Sequence, residues 1–173
     1  SVASAEGNGY TLQVARVGSH SVLPALKADL PYSLDDFRFV GVFELNPVVC
    51  ATHPDSGLDS MEAVAERVIN EPGTVSFSTT GLGSILFLTA VMVLDTYGVN
   101  SPLEAAIHLP MRGGGEAATA VLSGNATFVC TNSSALASFV QNGQLQPLLT
   151  TSEERLEGFD APTVAELGHP VRL

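Results

Sequence analysis

The stretch that decides the fold is Val75-Ser-Phe-Ser-Thr-Thr-Gly-Leu-Gly-Ser84. Residues 75–78 have the pattern of a short strand, and residues 79–83 have the composition of a tight loop. Ser84 stands where the N-cap of a helix belongs, directly before the apolar run 85–94. A strand, a loop of small residues and a helix N-terminus together favour an anion site. The first N–H groups of a helix lack partners within it, and the helix dipole places positive charge there.

Two kinds of group in this stretch suit a ligand. Hydroxyls supply hydrogen-bond donors with little bulk, and glycines allow the backbone to approach closely. The candidate ligand-binding residues are Ser78, Thr79, Thr80, Gly81, Gly83 and Ser84. An ordinary strand–helix turn with a serine cap is the alternative interpretation of the same residues.

A second stretch, His108-Leu-Pro-Met-Arg-Gly-Gly-Gly-Glu116, repeats the arrangement. Arg112, with Gly113 and Gly114, is expected to place a guanidinium beside carboxylate oxygens, a charge-assisted contact. The alternative is a solvated arginine in front of a helix. Thr131 and Asn132 end a further predicted strand, where they either bind a ligand oxygen or cap the next helix.

The rest of the chain alternates helices with strands, from a helix capped by Asp59 to a strand ending at Thr150. Such alternation predicts right-handed crossovers and a mostly parallel sheet covered on both faces. Ligands of these sheets bind at the carboxyl ends of the strands. Strands are predicted at 10–15, 39–44, 48–52, 75–78, 105–109, 127–131 and 145–150.

Composition excludes several classes of function. The 173 residues carry a formal net charge of −11 with seven Lys and Arg, which argues against binding nucleic acid or an anionic membrane surface. The sequence shows no metal-ligand spacing, dinucleotide fingerprint or convincing acid–base pair, so we expect no metal, no cofactor and no enzyme activity. Cys50 and Cys130 lie in apolar runs and are expected to be small buried hydrophobes rather than a disulfide.

Several short motifs, in order along nearly the whole chain, resemble the periplasmic solute receptors of tripartite tricarboxylate transporters. The motifs include Gly18-Ser-His20, Phe77-Ser78 with Gly81, His108-Leu-Pro110 with Arg112-Gly-Gly114, and the tail Ala161-Pro-Thr-Val-Ala-Glu-Leu-Gly168. Each motif is weak alone, and their ordered set carries the resemblance.

The resemblance implies an α/β, type II periplasmic-binding-protein fold of the Venus-flytrap kind. Residues 54–146 would form a complete second lobe, and residues 1–53 with 147–173 a partial first lobe. The receptor would capture a small carboxylate outside the cytoplasm and deliver it to membrane transporter subunits. Gly18, Ser19 and His20 match the family's first-lobe cleft loop.

Two other interpretations of the sequence stay open. The chain is alternatively a small α/β enzyme domain that binds a phosphate or nucleotide through the 79–84 loop. It is otherwise a remnant that binds nothing and forms a homodimer, because an incomplete first lobe would expose core surface. No signal peptide is evident in the sequence.

Overall fold

A five-stranded sheet forms the centre of the computed structural model, which describes residues 2–42 and 44–168. The strand order is β3-β2-β4-β1-β5. The strands are β1 (Val48–Thr52), β2 (Ser76–Thr80), β3 (Ile107–Met111), β4 (Phe128–Asn132) and β5 (Gln146–Thr150). The helices are α1 (Leu23–Leu26), α2 (Met61–Asn70), α3 (Ile85–Thr96), α4 (Pro102–Ala105), α5 (Gly114–Leu122) and α6 (Ser133–Gln141).

Four of the five strands run in the same direction, as the predicted mostly parallel sheet requires, and β1 runs opposite to them. Strand β2 lies parallel to both β3 and β4, which confirms the crossovers predicted from the alternating sequence. Strand β1 runs antiparallel to its neighbours β4 and β5. Pro110 lies in β3, an edge strand, where a residue without an N–H is tolerated.

Helices cover both faces of the sheet because alternate side chains of each strand point to opposite sides. On one face, Val49 and Val129 pack with Ala118 of α5 and Leu136 of α6, all fully buried. On the other face, Phe77 of β2 stacks on Phe87 of α3, with ring centroids 6.4 Å apart. Strand β2 is therefore packed between α3 and α5.

A disulfide joins Cys50 of β1 to Cys130 of β4, so the prediction of two unpaired cysteines was wrong. The two residues stand directly opposite each other in the antiparallel pair, with Cα atoms 4.1 Å apart. They are separated by 80 positions along the chain, and only the strand register brings them together. A disulfide is typical of an oxidising compartment.

The predicted strands at 10–15 and 39–44 are not strands in the described residues, and Phe43 lies outside them. Their bulky side chains are exposed, for example Tyr10 at 93% and Val40 at 88%. Hydrophobic pattern alone does not make a strand, which needs a neighbour to complete its hydrogen-bond ladder.

Elsewhere, the observed boundaries of the helices and strands differ from the predicted ones by one or two residues. The N-cap of α2 is Ser60, whose hydroxyl accepts the Ala63 N–H at 3.1 Å, rather than Asp59. Strand β2 extends through Thr80, so Thr79 and Thr80 belong to the strand and not to the loop. Strand β3 begins at Ile107 because residues 102–105 form α4.

Two compact units make up the chain. One comprises residues 1–45 with 83–85, and the other comprises 46–82 with 86–173. The second contains all five strands. The lobe boundaries implied by the family resemblance, at 53/54 and 146/147, stay a prediction.

Candidate functional site

Strands β2 and β3 end side by side at one edge of the sheet. Thr80, the last residue of β2, pairs with Met111, the last of β3. Strand β4 lies parallel on the other side of β2, with Ser78 opposite Val129. The turns that follow the three strands therefore leave from the same edge, as the sequence predicted for a binding site.

At the exit of β2 the backbone is already hydrogen-bonded. The Gly81 N–H donates to the Met111 carbonyl at 3.3 Å, so this amide is not a free donor for a ligand. The Thr79 hydroxyl is fully buried and donates to the Thr80 carbonyl at 3.0 Å. Both polar ends of the Thr80–Gly81 peptide are thus fixed by the protein itself.

Ser78, predicted as a ligand residue, is fully buried. Its hydroxyl donates to the Ala117 carbonyl of α5 at 2.8 Å and lies 3.5 Å from the Phe128 carbonyl of β4. This side chain ties the N-terminal half of α5 to the sheet. Ser78 therefore lies in the protein interior behind the edge where the strands end, and its side chain is not exposed at that edge.

Gly83 and Ser84 follow the exit of β2. Gly83 has a φ of +76°, a left-handed conformation that favours glycine, and a Cβ there would lie 3.2 Å from Leu26 Cδ1. The backbone conformation therefore favours glycine here, while the predicted close approach to a ligand stays a prediction. The assignment of Ser84 as the N-cap of α3 stays a prediction.

Helix α5 begins as the second predicted stretch requires, with Gly113 as N-cap. The first N–H groups of the helix, on Gly114 and Gly115, have no partner within it, as at every helix N-terminus. Glu116 accepts the Arg112 backbone N–H at 3.0 Å. The Arg112 side chain is exposed and forms no ion pair within residues 2–42 and 44–168.

Gly114 and Thr131 meet below this helix end. A Cβ on Gly114 would lie 2.6 Å from Ala135 Cβ and 2.7 Å from Thr131 Oγ1, so only glycine lets α5 approach β4 and α6 so closely. The Thr131 hydroxyl is fully buried and has no hydrogen-bond partner among the residues that the structure describes. Both residues were predicted to touch a ligand, and the structure places them in the packing beneath the edge.

The N-terminus of α6 is capped from far along the chain by Asn46. The Asn46 Oδ1 accepts from the Ser133 hydroxyl at 3.0 Å, and its Nδ2 donates to the Ser134 hydroxyl at 2.8 Å. The Ser133 N–H donates to the Pro47 carbonyl. Asn132, the predicted ligand or cap residue, is the N-cap but makes no side-chain capping bond. Asn46 lies 87 positions before Ser133, so no local pattern identifies it as a cap.

In the other unit, Gly18 begins a π-helical turn, Gly18–Val22, where a loop was predicted. His20 is buried, its Nδ1 lies 2.8 Å from the Ser19 hydroxyl, and its ring packs on Tyr32 and Phe37. This aromatic cluster gives His20 a structural role within its own unit. Its predicted ligand role stays a prediction.

His108 lies near the start of β3 and is a polar residue that the sequence did not single out for the site. Its Nε2 lies 2.8 Å from the Thr79 hydroxyl. Its ring packs between Phe77, with centroids 5.0 Å apart, and Phe87, with centroids 4.7 Å apart. Burial among these rings lowers the pKa of His108 below its usual 6.5.

A groove of about 630 Å³ lies apart from this edge, at the ends of α2 and α3. Glu62, Glu66 and Tyr97 are among its lining residues. Burial, with a smaller contribution from the charge of Glu62, raises the pKa of Tyr97. Two carboxylates make this groove unsuitable for an anion.

The described part of the chain lacks two features that would suggest other functions. No three His, Cys, Asp or Glu side chains there are grouped as metal ligands would be. None of its helices is both long enough and apolar enough to span a bilayer.

Comparison with known proteins places the chain near one family. The family model described as tripartite tricarboxylate transporter family receptor (TctC) matches residues 1–171. Protein BugT of Bordetella pertussis is 32% identical over 173 residues, which cover 97% of this chain and 51% of BugT. The chain thus spans about half the length of this curated relative.

Solved structures agree with this comparison. One described as a periplasmic transporter superposes with a TM-score of 0.84 at 28% identity, over 98% of this chain and 56% of that one. MatC from Rhodopseudomonas palustris, solved with bound malate, gives a TM-score of 0.73 at 22% identity over 89% of this chain and 51% of MatC. The second likeness shows the fold alone.

Proposed function

Since this chain belongs to the family of tripartite tricarboxylate transporter receptors, we propose that it captures a small carboxylate in the periplasm for delivery to membrane transporter subunits. The family consists of solute receptors rather than enzymes, so the proposed activity is binding without catalysis. The malate bound to MatC, a protein of the same fold, supports a dicarboxylate as the first ligand to test.

The observation that carries the proposal is the α5 N-terminus at the carboxyl edge of the sheet. Arg112 is exposed there without an ion pair in the described residues, and three consecutive glycines follow it. A carboxylate at this point would receive N–H groups, the positive end of the helix dipole and a guanidinium. Glu116 lies in the same helical turn and limits how much negative charge the site tolerates.

The roles of the candidate residues divide accordingly. We propose that Arg112, Gly113 and the residues after Thr80 contact the ligand. The ligand-contacting residues are held in place by packed residues of the interior: Ser78, Thr79, Gly114 and Thr131. The contribution of Gly18, Ser19 and His20, and the division into two lobes, are parts of the proposal that rest on the family resemblance.

A thermal-shift screen tests the proposal. The protein is heated with malate, adipate, citrate, acetate and, for comparison, ATP. We expect a carboxylate to raise the midpoint of unfolding, because a ligand that binds only the folded state stabilises it. Arg112→Ala should abolish most of the shift. Arg67→Ala removes an exposed arginine of α2 that pairs with Glu71, and it should leave the shift intact.

Other outcomes of the screen contradict the proposal. Stabilisation by ATP alone would favour a nucleotide-binding domain. No stabilisation by any acid, together with a dimer in light scattering, would favour a remnant that only self-associates. An equal loss of the shift in both arginine variants would mean that general charge, and not the α5 N-terminus, holds the acid.

A further inference from the structure

Thr79 connects the half-buried histidine of β3, His108, to the backbone at the exit of β2. Its hydroxyl lies 3.0 Å from the Thr80 carbonyl and 2.8 Å from His108 Nε2. A hydroxyl carries one proton. If that proton goes to the Thr80 carbonyl, which can only accept, then the imidazole must supply the other hydrogen bond from Nε2.

We propose that His108 is a positioning residue of the ligand edge: as its Nε2–H tautomer it donates to the Thr79 hydroxyl and thereby directs that hydroxyl onto the Thr80 carbonyl. The Gly81 N–H at the other end of the same peptide donates to Met111. The relay therefore fixes the peptide plane from which the chain leaves β2. His108 touches no ligand in this arrangement.

The surroundings of the ring favour this arrangement. The ring lies between Phe77 and Phe87, and the polar contact that the structure gives it within the described residues is the Thr79 hydroxyl. On the elements that hold the ring, β2, β3 and α3, Asp95 is the one other ionisable side chain. It lies eight positions beyond Phe87, about 12 Å along the helix. No carboxylate on these elements therefore competes for the Nε2–H.

Substitutions can separate the effect of the His108 ring from the effect of its N–H donor. His108→Phe keeps an aromatic ring between the two phenylalanines and removes the donor. His108→Gln keeps an N–H donor at a similar reach and removes the titrating ring. On β2, Thr79→Val removes the hydroxyl with little change of shape, and Thr79→Ser retains it.

The consequence for binding rests on the proposed carboxylate function and is tested with malate by titration calorimetry. We expect His108→Phe and Thr79→Val each to raise the Kd for malate about tenfold, the effect of one lost hydrogen bond at a site. The double variant should lose no more than either single variant, because both break the same relay. His108→Gln and Thr79→Ser should stay within about threefold of wild type.

A second pair of measurements needs no ligand. Nitrogen chemical shifts of the His108 ring should show the Nε2–H tautomer at neutral pH. Amide exchange at Gly81 should be faster in His108→Phe and Thr79→Val, and near wild type in His108→Gln. An Nδ1–H ring, unchanged Gly81 exchange, or a His108→Gln variant as impaired as His108→Phe would each overturn the relay.

The two ideas fail separately. If wild-type protein binds no carboxylate, the proposed function is lost, and the ring tautomer with the Gly81 exchange rates still decides the relay. If malate binds and the double variant loses about a hundredfold, the two residues act independently and the relay is wrong.

Discussion

Gly114 and Gly115 are neighbours in the first turn of α5, yet a methyl group would meet different surroundings at each. At Gly114 it would lie 2.6 Å from Ala135 Cβ, while at Gly115 nothing lies within 4 Å. We expect Gly114→Ala to lower the free energy of unfolding by about 1–3 kcal/mol, the usual cost of overpacking. Urea denaturation followed by circular dichroism measures the change.

Gly115→Ala is the matched control. It restricts the unfolded chain and adds a good helix former without a clash, so we expect a gain of roughly 0.5 kcal/mol. Equal effects of the two substitutions would show that α5 does not pack against β4 and α6 as described.

The same residues show which features of the candidate site could be predicted from the sequence. Small polar residues at a strand exit predict a site there, and the structure brings the exits of β2 and β3 side by side. The sequence does not reveal which hydroxyls are consumed inside the protein. Ser78 binds the Ala117 carbonyl and Thr131 is enclosed beside Gly114, and both partners lie on elements distant in the chain.

Among the elements, β1 depends on a contact that no local pattern reveals. It is inserted antiparallel between β4 and β5 and is bonded to β4 through Cys50–Cys130. We expect reduction of this disulfide to lower the free energy of unfolding by about 2–5 kcal/mol, because the bond closes a long loop in the unfolded chain. Denaturation with and without a reductant measures the change.

The double variant Cys50→Ala with Cys130→Ala serves as control. It should show the reduced stability in both conditions and no further response to the reductant. Two alkylatable thiols in the unfolded, unreduced wild-type protein would contradict the disulfide outright.

Most elements of the alternating region could be predicted because each helix and strand has its own local period. The order from α2 to β5 follows the sequence prediction, with α4 added. The segments at 10–15 and 39–44 have equally good strand patterns, but their prediction as strands was wrong. A strand needs a neighbouring strand to hydrogen-bond with, and the pattern of one segment does not show whether such a neighbour exists. The disulfide and the Asn46 cap could not be predicted for the same reason, because each joins residues far apart in the chain, by 80 and 87 positions.

For the whole molecule, His108 predicts a dependence of stability on pH. Its pKa is lowered in the folded protein, so below the usual value of 6.5 the unfolded chain takes up a proton before the folded chain does. The free energy of unfolding should therefore fall as the pH drops below 6.5. Denaturation curves at a series of pH values measure it.

His108→Gln should weaken this part of the pH dependence, because the variant cannot take up the proton. Glu166 contributes in a lower range: its hydrogen bond with Arg155 lowers its pKa from 4.5, and the associated stability is lost as the pH falls below that value. Identical curves for wild type and His108→Gln between pH 5 and 7 would show that the ring is not buried as described.

The most direct test of the ligand edge is an amide chemical-shift titration of the labelled protein with malate. We expect the largest shifts on residues 81–82 and 113–115, in the turns that follow β2 and β3, and we expect Arg112→Ala to suppress them. Saturating shifts concentrated on the groove around Glu62 and Tyr97, or none at millimolar malate, would contradict it.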